Sequence, residues 1–375
     1  MRFPEFSGEW IESKLGDIAD FSKGAGISKD QRSEKGNPCI LYGELYTRYK
    51  SEVITNVFSK TALPDSDLVK SIANDIIIPA SGETAEDIAT ARCVPFDNIL
   101  LGGDLNIIRL HEQDGKFFSY QLNGARKYDI ATVAQGVSVV HLHAGDLKGI
   151  IVKYPSHIAE QEKISQILGL IDDRIATQSK IIEELTALRS ALLEKVFQVS
   201  NPTLEVGAIA HQTSERNKLC RYSNVLSVSN RFGFINQSEQ FEDRNVASDD
   251  VRNYKVVHRG DFAYNPARIN VGSIAMLKSF ESGIVSPMYI CFQVDDTIVD
   301  PSFFELFLET KAFKDEMEIR LEGSVRRCLS FEALCEIHLP LPALLVQRSI
   351  SDKIGNISSK IKLEDRILRA YIRQK

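Results

Sequence analysis

Apolar residues recur along this chain in two rhythms. Short runs such as Asp75-Ile76-Ile77-Ile78-Pro79, Asn106-Ile107-Ile108-Arg109-Leu110, Gly260-Asp261-Phe262-Ala263-Tyr264 and Met288-Tyr289-Ile290-Cys291-Phe292 alternate with turn-rich connections and predict buried strands. Two other stretches keep a 3-4 spacing, which places their apolar residues along one side of a helix. The first carries Ile164, Ile167, Ile171, Ile181, Leu185, Leu188 and Leu192, interrupted by Arg174 and Gln178; the second carries Ile350, Ile354, Ile357, Ile361, Leu368 and Tyr371, interrupted by Glu364. Pro155-Ser156 precedes the first stripe, Glu160 and Glu162 sit where a helix dipole favours negative charge, and Ser200-Asn201-Pro202 stops it. A helix of about 40 residues is about 60 Å long, too long for an ordinary core helix.

The second half repeats the first. Gly136, Leu142, Leu147, Ile150 and Pro155 reappear 187 residues later as Gly323, Leu329, Leu334, Ile337 and Pro342. After a slip of one residue, Gln161, Ile164, Leu168, Gly169, Ile171, Ile175 and Ile182 meet Gln347, Ile350, Ile354, Gly355, Ile357, Ile361 and Leu368. Near the starts, Leu15-Gly16-Asp17-Ile18-Ala19 resembles Val206-Gly207-Ala208-Ile209-Ala210. A period this long is no solenoid unit; it predicts two homologous globular modules, each followed by a helix. The expected organisation is α+β: a mixed α/β module at 1–155, a helix at 156–200, a second mixed α/β module at 201–342 and a second helix at 343–375. The two stripes bury each other most simply as an antiparallel coiled coil with a module at each end, a dumb-bell.

Composition narrows the class. At 375 residues, 43% hydrophobic and 26% charged, the chain reads as a soluble globular protein of two or three domains. No segment predicts a membrane span and Met1-Arg2-Phe3-Pro4-Glu5-Phe6 has no apolar signal core, so a cytoplasmic location is expected. The six scattered cysteines form no Cys-x-x-Cys pair, and His141 and His143 have no third ligand, so no metal site is expected and most thiols should be buried. Net charge is −6, with 16 basic and 21 acidic side chains in residues 1–150 and 15 and 20 in 201–340. Neither module is basic overall, so contact with a polyanion must use local patches. No phosphate-binding glycine loop appears. Asn265-Pro266-Ala267 resembles the Asn-Pro-Pro-aromatic motif of amino-methyltransferases but lacks the second proline and the ring. No catalytic residues are predicted.

The chain resembles the specificity subunit of type I restriction-modification systems. The likeness rests on Arg2-Phe3-Pro4-Glu5-Phe6 with Trp10, on Leu15-Gly16-Asp17-Ile18, on Gln135-Gly136 through Leu142 and Leu147, and on Pro155, Glu160-Gln161 and Ile164. The second half departs from it: it has no counterpart of Trp10, and Val346-Gln347 replaces Glu160-Gln161. The resemblance implies a sequence-specific DNA-binding protein whose modules are target-recognition domains, each reading half of a split double-stranded target. It further implies that the helices space the modules and hold two modification (methyltransferase) subunits, with restriction subunits joining through the complex. S-adenosylmethionine, ATP and Mg would then belong to partner chains, and this chain would carry no cofactor and no catalysis.

On that reading the expected DNA contacts in module one are Lys23, Ser28, Lys29 and Arg32; Tyr42, Tyr46 and Arg48; Ser81 and Thr84; and Gln135, Ser138 and His141. Those in module two are Arg216, Lys218 and Arg221; Ser229, Asn230 and Arg231; Tyr264, Asn265, Arg268 and Asn270; and Ser324, Arg326 and Arg327. Arg reads guanine and Asn or Gln reads adenine through paired hydrogen bonds, whereas Lys and Ser more often fix phosphates. The rival reading is a coiled-coil scaffold with two protein-binding heads and no DNA role, which the acidic modules permit.

Overall fold

The computed structural model describes residues 3–64, 66–136, 139–198, 202–237, 250–323 and 327–375. The chain divides into two compact units, Met1–Thr177 with Leu368–Lys375, and Gln178–Ile367.

In the first unit the central sheet runs in the order Ala19–Lys23, Leu105–Leu110, Asp75–Pro79, Arg92–Val94, antiparallel throughout. Asp75–Pro79 reads as an unbroken apolar run because both of its faces are covered. Ile76 and Ile78 join Phe117, Phe118 and Leu147 on one side, while Ile77 joins Leu45, Val94 and Leu101 on the other. The second unit repeats the order with Ala210–Thr213, Ile290–Val294, Phe262–Tyr264 and Ile274–Met276. Phe262 and Tyr264 face one core with Phe303 and Phe304, and Ala263 faces the other with Leu226 and Val257. A two-stranded ladder gathers the ends of each module: Trp10–Lys14 with Ile151–Pro155, and Thr203–Glu205 with His338–Pro340.

The apolar stripes form helices Ile158–Gln198 and Leu344–Gln374. The start of each is fixed by the same buried hydrogen bonds. Asp114 caps helix Gly115–Asn123, accepts from Ser165 Oγ at 2.5 Å, and donates its own N–H to Gln161 Oε1 at 3.0 Å. Gln161 Nε2 then donates to the Pro155 carbonyl at 2.9 Å. In the second unit Asp300 caps helix Pro301–Glu309, accepts from Ser351 Oγ at 2.8 Å, and donates to Gln347 Oε1 at 2.8 Å, while Gln347 Nε2 donates to the Pro342 carbonyl at 2.8 Å.

Within the second unit the two helices run antiparallel: Gln178 Nε2 donates to the Glu364 carbonyl at 3.2 Å and to its carboxylate, and Arg189 Nε donates to Ser358 Oγ at 2.7 Å. Leu193, Phe197 and Ile354 are absorbed into the same apolar core as Phe303 and Phe307. Within the first unit the Arg174 guanidinium lies 5.8 Å from the Tyr371 ring centre, and Lys375 Nζ sits 2.5 Å from Asp172 and beside Glu52.

The buried seam differs in phase from the sequence stripe on the first helix. Ile164, Ile171 and Leu185 are half-buried, whereas Ile167, Ile181, Leu188 and Leu192 are exposed. On the second helix Ile354 is buried, and Ile350, Ile357, Ile361, Leu368 and Tyr371 are half-buried. Among the cysteines, Cys39, Cys93 and Cys291 are buried, and burial pushes their thiols up, Cys39 to about 11 and the other two to about 12. Cys220 is exposed, and Cys328 and Cys335 are intermediate. No helix among the described residues is long and apolar enough to cross a membrane, and none of these residues form a His, Cys, Asp and Glu cluster able to hold a metal ion.

Candidate nucleic-acid interface

Each unit carries the same clipped loop. Gln135 and His141 exchange backbone hydrogen bonds of 2.9 and 2.7 Å, and Glu322 and Cys328 exchange bonds of 2.9 and 2.8 Å at the equivalent place. The residue after the first partner is Gly136 or Gly323, with φ of +131° and +103°, a conformation glycine adopts without penalty. A Cβ on Gly136 would lie 2.1 Å from the Val139 carbonyl oxygen. The loop is tied to the end of the central strand in both units, by Leu142 N–H to the Ala80 carbonyl at 3.0 Å and by Leu329 N–H to the Pro266 carbonyl at 3.1 Å. Ser138, Ser324 and Arg326 lie outside the described residues.

In the first unit this edge gathers several of the expected residues. His141 pairs with Ser81 in a short ladder, and its exposed ring stacks with that of His143 at 6.4 Å. Ser81 itself is buried, so it supports the edge and offers its side chain little access. Thr84 caps helix Ala85–Ile88 through Asp87. Tyr46 lies close enough to Tyr42, Asp87 and Glu83 that, after burial, their fields raise its phenol above the ordinary range.

A second group surrounds buried Glu44. Its carboxylate accepts from Arg48 Nη1 at 3.0 Å and Ser59 Oγ at 2.5 Å, with Arg32 Nη1 at 3.9 Å. The Arg48 guanidinium covers the Phe58 ring at 4.9 Å. Arg32, Phe58, Ser59 and Lys60 line an open groove, with Ser28 and Lys29 at the adjoining capped turn. Lys23, at the end of its strand, is exposed. Phe58 and Lys60 are absent from the sequence-based set. An aromatic residue followed by Ser59 and Lys60 was the available signal, but exposure is not readable from type alone.

In the second unit hairpin Leu226–Ser229 with Gly233–Asn236 presents Asn230, Arg231 and Phe232 at its tip. The Ser229 hydroxyl accepts from the N–H groups of Arg231 and Phe232 at 3.3 and 3.4 Å, and Gly233 has φ +66°, as a three-residue hairpin loop requires. Asn230 packs against Gly272, so the tip lies beside the turn holding Asn265, Arg268 and Asn270. Asn265 Oδ1 accepts from Ala267 N–H at 3.1 Å and its amide approaches exposed Met288.

Tyr264 requires a correction. It is completely buried, burial pushes its phenol far above the ordinary range, and its hydroxyl donates to the Leu329 carbonyl at 3.3 Å. It braces the clipped loop from inside the core and has no surface to offer DNA. Arg327 is exposed but held by Glu318, and Arg216 donates to the Asn253 carbonyl at 2.6 Å. Lys218 and Arg221 lie exposed on the same loop as Arg216, on segments that the structure does not tie to the hairpin group.

Residues 7–187 match the sequence profile of the type I restriction modification DNA specificity domain. Over 97% of its length the chain is 22% identical to the specificity subunit of the type I restriction enzyme MjaVIII of Methanocaldococcus jannaschii, covering 89% of that protein. The fold is similar to the crystal structure of a type I restriction-modification S subunit from M. genitalium, with a TM-score of 0.64 and 17% identity over 99% of this chain and 96% of that one. It is also similar to a chain solved in a study of complex assembly and conformational transition of the type I R-M system, with a TM-score of 0.54 and 12% identity over 99% and 96% of the two chains.

Proposed function

We propose that this chain, whose residues 7–187 match the type I restriction modification DNA specificity domain, is a specificity subunit that reads a bipartite double-stranded DNA target, one half-site per unit. The carrying observation is the duplicated clip. Backbone geometry is kept at Gln135–His141 and Glu322–Cys328 while the side chains around it diverge, from Ser81, Thr84 and His141 to Asn265, Arg268 and Cys328. A common frame with different side chains is what reading two different DNA words requires, because base edges are distinguished by the donors and acceptors presented to them.

The chain itself performs no chemistry on this proposal. Methylation with S-adenosylmethionine and cleavage with ATP and Mg fall to modification and restriction subunits, which dock on the helices. The test is to express the chain with a modification subunit and map the methylated bases. The expected result is two short words separated by a fixed unread spacer; a single continuous motif, or no sequence preference, overturns the proposal.

A further inference from the structure

Two exposed phenylalanines carry an arginine against the ring, one in each unit. Phe58 is 51% exposed with the Arg48 guanidinium 4.9 Å from its centre; Phe232 is 67% exposed with that of Arg231 at 5.2 Å. Neither ring belongs to a buried core cluster, although Phe58 rests against the Tyr49 ring at 5.3 Å, and both stand on hydrogen-bonded segments. Arg48 is anchored by buried Glu44, and the hairpin tip at Phe232 is fixed by Ser229 and Gly233. Leaving a large ring half-exposed forgoes part of its burial energy, and a cation lying over one face holds the ring in place.

We propose that Phe58 and Phe232 are wedges that insert at a base step of their respective half-sites, partly unstacking it, with Arg48 and Arg231 positioning the rings and attracting the DNA backbone. The inference rests on the reading of the chain as a DNA specificity subunit. Its support is twofold: a polyanion is drawn to the cations around each ring, Arg32 and Lys60 in the groove with Phe58 and Arg231 beside Phe232, and an apolar ring replaces the base stacking it disturbs.

The two residues are each other's control. The full chain, expressed with its modification subunit, is compared as wild type, Phe58→Ala, Phe232→Ala and the two Phe→Trp variants by mapping methylated bases. Binding of each purified complex is then measured on a duplex carrying the mapped wild-type site, with 2-aminopurine placed in turn at each base step. The expected result is that each Ala variant relaxes one or two adjacent positions of a different half-site by about tenfold. The 2-aminopurine signal of unstacking should vanish at that step alone, and Trp should restore both. Unchanged preference or unchanged unstacking in either Ala variant overturns the proposal. So does loss in both half-sites at once, or loss with a lowered unfolding temperature that Trp does not repair. Failure of the wild type to yield a bipartite motif counts against the functional reading itself and is seen before any variant is compared.

Discussion

Gln178 and Glu364 occupy the same place in the two copies of the repeat, 186 residues apart, and they bond to each other. In the sequence both interrupt an apolar stripe; in the fold each is the other's partner, so the polar gap in one helix meets the polar gap in the second. Hydrogen bonds from Lys360 and then Gln178 hold the Glu364 carboxyl below its ordinary value. A depressed carboxylate contributes stability that is fully present above the unfolded value, 4.5 for this glutamate, and is lost as pH falls through the folded value. Unfolding midpoints measured as pH falls from 4.5 through the folded value should therefore drop in the wild type and drop less steeply in Glu364→Gln. At this scale the sequence revealed which positions were unusual but not why, because a partner 186 residues away is a tertiary fact. Tyr264 failed for a related reason: a polar tip on an aromatic ring looks the same in sequence whether it meets water or the Leu329 carbonyl.

The helices were legible as elements because a 3-4 spacing leaves few alternatives. Their phase was less so where apolar residues stand side by side, as in Ile181-Ile182 and Leu192-Leu193, since neighbours differ by about 100° around the axis. The structure turns Leu193 inward and leaves Leu188 and Leu192 on the outer face. If that outer face receives a modification subunit, Leu188→Glu with Leu192→Glu should abolish co-purification while circular dichroism and the unfolding midpoint stay within error. The helix starts make the opposite prediction. Gln347→Ala would leave the Asp300 N–H and the Pro342 and Ile298 carbonyls without their buried partner. It should destabilise the second unit by about 2 kcal/mol in urea titration, and Gln161→Ala should do the same to the first. The glutamine that recurs shortly after a proline in both halves, six residues on in the first and five in the second, marks these junctions in the sequence, although the hydrogen-bond partners Asp114 and Asp300 cap helices 47 residues earlier.

For the molecule as a whole, the repeat extends beyond two similar folds to a contact remade with the helices exchanged. Arg189 of the first helix meets Ser358 of the second in one unit, and Lys375 of the second meets Asp172 of the first in the other. The two helices thus contribute to each unit in turn. Inserting one heptad into both adds about 10 Å of helix, and methylation mapping should then show the unread spacer longer by about three base pairs with both words unchanged. An unaltered spacer would show that helix length does not set it.

The assignment of Leu368–Lys375 to the first unit also has a consequence in time. On the ribosome, Asp172, Glu52 and Tyr120 emerge long before Lys375, the cation that sits among them. Residues 178–367 must be synthesised first, which at 5–20 residues per second takes about 10–40 s. During that interval Glu52 and Asp172 face Arg92 without their second cation, and the second unit, though later in sequence, has its full set of residues first.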